Sequence, residues 1–203
     1  SLHHRGPYAD WRQIFLQYDG QLRTMQAIRL GIAPKVLYAM RDSGLIIQEG
    51  RGLYRLAEAL PPEYPDLVQV ARLVPKAIIC LVSALAFHDL TDRLPAQVYI
   101  MLPRHTKAPR LAYPPLRVFR RAEKPYGAGI EVYTIQNVII SVYSREKTLA
   151  DCFRFRKKLG QDVILEALKA YKSQKRINLT ALMDYGRLNK VSERMRPYLE
   201  ALF

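Results

Sequence analysis

From Leu22 to Leu56 the placement of glycine and proline leaves few folds open. Arg23 to Leu30 carries apolar residues at Met25, Ala27, Ile28 and Leu30, the spacing of a short helix. Gly31 stands where a helix C-terminus takes a left-handed residue, and Ile32 returns the chain toward a core. Pro34 suits the first position of a second helix, where its missing N–H would have no partner anyway. In that helix Leu37 and Met40 share an inner face with Val36 beside them, while Lys35, Tyr38 and Arg41 fall on the other face. Gly44 closes the helix. Leu45 to Gln48 and Leu53 to Leu56 then read as two strands joined by the turn Glu49-Gly50-Arg51-Gly52. Helix, turn, helix and hairpin make the winged form of the helix-turn-helix, whose second helix enters the major groove of DNA. The alternative is a three-helix core with a decorative hairpin.

Ala9 to Tyr18, with Trp11, Ile14, Phe15 and Tyr18 at helical spacing, supplies the helix that packs behind this motif, with Asp10 as a plausible N-cap. Ser1 to Pro7, with two histidines and Gly6-Pro7, stands outside the fold reasoning. The clearest boundary is Ala59-Leu60-Pro61-Pro62-Glu63-Tyr64-Pro65, an extended, stiff connection that favours a preferred orientation of what it joins. Beyond it, Asp66 to Val74 and the apolar Ile78 to Leu90 read as helices separated by Pro75. Strands are expected near 98–102, 116–120, 131–135 and 138–143, the last two joined by a tight turn at Gln136-Asn137. Helices follow at 144–159, 162–172, 179–189 and 192–202. The expected architecture is α+β: a winged helix-turn-helix at 8–58, a proline-rich linker at 59–65, and a larger mixed α/β domain at 66–203 with a C-terminal helical segment.

Charge bears on partners. Thirty-two Lys and Arg against eighteen Asp and Glu leave +14 over 203 residues, which favours a polyanion or an acidic protein surface. Residues 1–60 hold eight basic and five acidic residues, and residues 61–203 hold twenty-four and thirteen, so the reader carries +3 and the remainder +11. In the reader, Lys35 and Arg41 suit phosphate or guanine, and Tyr38 suits phosphate, sugar or a thymine methyl. Arg51, on a glycine-flanked tip, suits the negative potential of a minor groove. Arg23 and Arg55 are candidate phosphate contacts, and Thr24 can cap its helix or hold a phosphate on the helix N-terminus. In the second region Lys147, Asp151, Arg154 and Lys158 form one helical stripe, extended by Lys157, with Thr148, Cys152, Phe155 and Leu159 on the buried face. The stripe is either a solvated helix face holding an i, i+4 pair or a cationic surface for DNA or an acidic partner. Arg104, Lys107 and Arg110, in the loop from Pro103 to Pro115, extend the expected basic surface.

Other chemistry is poorly served. GxxxxGK[ST], GxGxxG after a strand, GxSxG and HExxH do not occur, and Glu131-Val132-Tyr133 does not fit a metal-dependent nuclease. His88, Asp89 and Asp92 match no zinc spacing, so neither a metal nor a cofactor is expected, and no catalytic residue is assigned. Cys80 and Cys152 read as buried free thiols in a reducing compartment. The longest apolar run, Ala77 to Phe87, is too short for a bilayer, and neither a membrane span nor a signal peptide is expected.

Three stretches carry a resemblance. Leu81-Val82-Ser83-Ala84-Leu85-Ala86-Phe87-His88-Asp89-Leu90-Thr91 resembles a helix of the AbiEi family, antitoxins of type IV toxin–antitoxin and phage-defence (abortive-infection) systems. Val142-Tyr143-Ser144-Arg145-Glu146-Lys147-Thr148-Leu149-Ala150-Asp151-Cys152-Phe153 resembles its second signature, and Met195-Arg196-Pro197-Tyr198-Leu199-Glu200 its C-terminal end. The resemblance implies a cytoplasmic antitoxin encoded beside a nucleotidyltransferase-like toxin. Its N-terminal domain would bind inverted repeats of double-stranded DNA in its own promoter and repress it, and its C-terminal domain would carry antitoxic activity and basic surface. In such systems the toxin is countered without a stable inhibitory complex. Two alternatives stand beside this reading: an enzyme that modifies the toxin or reverses its product, with DNA binding secondary, and a module whose basic face neutralises an acidic toxin directly.

Overall fold

The structure, a computed structural model, describes residues 8–57 and 64–203. Its contacts divide the chain into two units, Ser1–Pro62 and Glu63–Phe203. Ser1–Pro7 and residues 59–63 of the expected linker lie outside the described residues.

In the first unit the order is α1 (Ala9–Gln17), β1 (Gln21–Arg23), α2 (Thr24–Arg29), α3 (Pro34–Asp42), β2 (Ile46–Gln48) and β3 (Leu53–Leu56). Pro34 opens α3 as expected, and Gly31 adopts φ +94°, a backbone state that side-chain-bearing residues resist, in the turn between α2 and α3. Phe15, Leu22, Ala27, Ile32, Leu37, Met40, Ile46, Tyr54 and Leu56 close one core. Leu37 and Met40 are fully buried, which leaves the opposite face of α3 without a packing duty. The hairpin gains a third antiparallel strand, because β1 pairs with β3 in the order β1-β3-β2. A three-residue strand shows too little alternation to be read in sequence. Asp10 lies within α1, whose N-cap is Tyr8.

The second unit is built on a five-stranded mixed sheet ordered β6-β5-β4-β8-β7. Its strands are β4 (Ile78–Ile79), β5 (Val98–Pro103), β6 (Leu116–Arg121), β7 (Ile130–Ile135) and β8 (Val138–Tyr143). The helices are α4 (Pro65–Leu73), α5 (Leu81–Phe87), α6 (Glu123–Gly127), α7 (Arg145–Arg154), α8 (Arg156–Leu159), α9 (Gln161–Ser173), α10 (Leu179–Leu188) and α11 (Ser192–Leu202). Pro65, read as the end of the linker, instead opens α4.

The expected helix from Ile78 to Leu90 is a correction. Its first two residues are the central strand β4, antiparallel to β5 and parallel to β8. Ile78 and Ile79 enter cores on opposite faces of the sheet, the alternation of a strand buried on both sides. One face packs α4, with Leu67, Val68 and Val70 against Ile100, Leu102, Ile140 and Val142. The other carries α5, α7, α9, α10 and α11. The β7–β8 hairpin turns at Gln136 and Asn137, both with positive φ, as a two-residue loop of the primed type requires. The helix expected over 144–159 breaks at Phe155 into α7 and α8.

Candidate nucleic-acid interface

The reader presents its cations on α3 and on the tip between β2 and β3. Lys35 and Tyr38 are exposed, Tyr38 at 47 %, on the face of α3 opposite Leu37 and Met40. Arg41 lies 5.1 Å from the Tyr38 ring, donates to Gln48 Oε1 at 3.0 Å and pairs with Asp42 at 3.3 Å. Its guanidinium is therefore held beside the Tyr38 ring. Arg51 is exposed between Gly50 and Gly52, and Glu49 N donates to Leu53 O at 2.8 Å to close the tip beneath it. Lys35, Arg51 and Arg23 meet no carboxylate among the described residues.

Two expected contacts are placed otherwise. Arg55 donates to Glu49 Oε1 at 2.7 Å and to the Leu56 carbonyl at 3.1 Å, with only 11 % of its side chain exposed. It braces the wing, because a hairpin this small gains from a charge-assisted bond across it. Thr24 is the first residue of α2 and makes no cap; Arg23 is the N-cap, and Thr24 N donates to Gly52 O at 2.9 Å. That bond ties the start of α2 to the wing.

In the second unit Arg104, Lys107, Arg110, Arg154, Lys157 and Lys158 are exposed. Arg104 N donates to the Arg121 carbonyl at 2.8 Å, and the Arg121 pKa falls chiefly through burial, opposed by Asp151 and reinforced by the charges of Arg154 and Arg104. Lys107 and Arg110 lie on the loop that Arg120 Nε anchors through the Thr106 carbonyl, on the far side of β6 from Arg121. The strand itself carries cations that sequence reasoning passed over. Arg117, Phe119 and Arg121 alternate onto one face of β6, a period of two visible in Arg117-Val118-Phe119-Arg120-Arg121.

Residues 12–57 match the AbiEi_4 family, a transcriptional regulator described as AbiEi antitoxin. The match runs through the helix-turn-helix and wing and ends before α4. The fold is also similar to that in the crystal structure of the RV2827C protein from Mycobacterium tuberculosis, with a TM-score of 0.50 and 14 % identity over 88 % of this chain and 70 % of that one. None of the curated proteins compared with the chain matches it in sequence. Among the described residues no helix is long and apolar enough to cross a membrane.

Lys147 requires the largest correction. Expected on the basic surface, it is wholly buried, as is Asp151. Lys147 Nζ donates to Asp151 Oδ2 at 2.8 Å and lies 3.9 Å from the Tyr143 ring centroid, and Asn189 Nδ2 donates to Asp151 Oδ1 at 2.8 Å. Arg121 Nη1 donates to Asn189 Oδ1 at 3.3 Å, so one polar chain runs from the core to the arginine cluster. Burial presses the Lys147 ammonium below its ordinary value and the Asp151 carboxyl above its own, against their mutual attraction. The physical cause is the position of α7, which packs against α5, α9, α10 and α11 and is buried from Glu146 to Phe153. Gly129 opens the space: a methyl group there would lie 2.6 Å from Lys147 Cβ. Ser144 caps the helix by accepting from Lys147 N at 3.2 Å, and Glu146 accepts from Tyr171 at 3.1 Å. The stretch that resembled a family signature is thus the packed centre of the second unit. His88, the C-cap residue of α5, donates to the Tyr143 carbonyl at 2.8 Å and joins the same centre.

Proposed function

We propose that this chain is the DNA-binding antitoxin and autorepressor of a type IV toxin–antitoxin system, acting in the cytoplasm. In this reading α3 lies in the major groove of promoter inverted repeats, with Lys35, Tyr38 and Arg41 toward bases and phosphates. Arg51 reaches the adjacent minor groove, and Arg23 takes a phosphate. Arg104, Lys107, Arg110, Arg154, Lys157 and Lys158 add attraction without sequence choice. The second unit counters a nucleotidyltransferase-like toxin without catalysis and without a stable complex.

The observation that carries the reading is the coincidence of the family match at residues 12–57 with an α3 face whose cations and tyrosine have no role in the core. The charge split supports a shared task, since +11 of +14 lies beyond residue 60. A gel-shift titration on the fragment upstream of the gene tests it. Affinity should fall steeply with salt and exceed that for a scrambled duplex of equal length by at least about 10³-fold. Equal affinity for both duplexes would remove the repressor. Co-expression with the neighbouring toxin should restore growth while the two fail to co-purify at moderate salt. Stable co-purification would favour direct neutralisation.

A further inference from the structure

A cavity of about 440 Å³ opens on the second unit where α5, β5, β6 and α8 meet, away from the buried Lys147 centre. Its lining includes the aliphatic side chains of Val82, Leu94, Pro95, Leu159 and Val163. It also includes Arg93, Arg117, Lys158 and the phenol of Tyr99, and among the described residues no carboxylate lines the cavity. Arg93 is already neutralised by Asp162 at 2.9 Å and Glu166 at 3.6 Å. Among the described residues Arg117 and Lys158 meet no carboxylate.

Arg117 is held in advance of any ligand. Its guanidinium lies 5.2 Å from the Tyr99 ring centroid and 5.4 Å from that of Phe119. Nη1 donates to the Tyr99 hydroxyl at 3.0 Å and Nη2 to the Lys158 carbonyl at 3.5 Å. The remaining N–H groups of a fixed planar fork are free to meet phosphate oxygens. Lys158, whose ammonium is 5.5 Å from the Phe119 ring centroid, brings a second charge to the same side. Leu94 is 94 % exposed at the rim, an aliphatic side chain with no role in the core. The volume falls in the range of small-molecule sites, and the wall suits a flat apolar group while the cations suit a dianion.

We propose that this cavity binds a nucleoside phosphate, with the base against Leu94, Pro95 and Val82 and the phosphate on Arg117 and Lys158. The same chemistry is offered by a free mononucleotide and by the phosphorylated end of a single strand. The site uses no residue of α3 or the wing, and it shares Lys158 with the basic surface proposed above.

Calorimetric titration of the full chain tests this with AMP, adenosine, inorganic phosphate, an acidic peptide and a short single-stranded oligonucleotide bearing a 5′-phosphate. AMP should bind at least about tenfold more tightly than adenosine or phosphate alone, because both halves of the cavity are then engaged. Lys158→Gln, at an exposed position, should weaken AMP by about tenfold with an unchanged melting curve, and Arg117→Met by more. An oligonucleotide tighter than AMP identifies a strand end as the natural source, and equal affinity identifies the free nucleotide. AMP binding no better than inorganic phosphate, identical titrations of wild type and Lys158→Gln, or an acidic peptide binding as tightly as AMP would each overturn the proposal.

Discussion

Separating Lys147 from Asp151 should damage the second unit more than removing both. Lys147→Met leaves the Asp151 carboxylate fully buried with one remaining hydrogen bond, from Asn189 Nδ2. Asp151→Leu leaves an ammonium against the Tyr143 ring with no carboxylate. Each should cost about 3–5 kcal/mol, the range for breaking a buried pair from one side. Each lone charge can shed part of this by changing its protonation, since burial lowers the Lys147 pKa and raises that of Asp151, so both singles should fall toward the lower end of that range. The double variant removes both charges and leaves mainly the Asn189 amide without its acceptor, a cost of about 1–3 kcal/mol. The double should therefore be more stable than either single, with a coupling energy of several kcal/mol. The assay is urea unfolding at neutral pH followed by far-ultraviolet circular dichroism, because Trp11 lies in the first unit and would report on that unit alone. A domain of this size has about 5–15 kcal/mol in total, so the singles should be partly unfolded, and recovery of a cooperative transition in the double is then the readout. Singles that each cost less than about 1 kcal/mol and add without coupling would place the pair in solvent, as an ordinary i, i+4 surface contact.

Three other outcomes follow from the same geometry. Lys35→Glu with Arg41→Glu should abolish promoter binding, whereas Arg51→Ala should weaken it and flatten the log–log salt dependence by about 0.9, one phosphate's worth; unchanged gel-shift affinity in the double reversal would remove α3 as the recognition helix. Gly129→Ala meets Lys147 Cβ at 2.6 Å with φ +73°, so it should destabilise by about 2–4 kcal/mol, whereas Gly186→Ala meets the mobile Met195 sulfur at 2.6 Å and should cost about 1 kcal/mol; reversed thermal shifts would contradict the packing around α7. Burial, opposed by the bond from Asn178 N and reinforced by Glu146, raises the Tyr171 hydroxyl to about 12 from 10.0. A raised folded value means its stabilising share is present below pH 10 and is lost as pH rises from 10 toward 12, so Tyr171→Phe should show a shallower alkaline loss of stability in matched urea titrations.

How far the sequence could be read depended on whether a residue's neighbours were near it in the chain. The reader was legible because its determinants are local: Pro34 starts α3, Gly31 ends the preceding turn, and Leu37 and Met40 fix which face of α3 turns inward. From those positions alone Lys35, Tyr38 and Arg41 had to point outward. Arg55 was misread because its partner, Glu49, lies across a hairpin whose register had to be known first. Lys147 failed for a stronger reason. A helical wheel divides α7 into an apolar stripe and a charged one, and that division assumes one side faces water. Here helices cover both sides of its first part, and Lys147 and Asp151 are enclosed by Tyr143, Asn189 and Gly129, at separations of 4 to 38 residues in sequence. Nothing local announces such partners. Ile78 and Ile79 were missed likewise, because a two-residue strand buried on both faces looks like the start of the apolar helix that follows it. The arginine cluster shows the consequence for function. Arg121 takes the backbone bond of Arg104 because β6 runs beside β5, and Asn189 links Arg121 to the Lys147–Asp151 pair. A change at the buried pair should therefore reach Arg121 on β6 through Asn189, so the packing of the second unit and the placing of its surface cations are one problem rather than two.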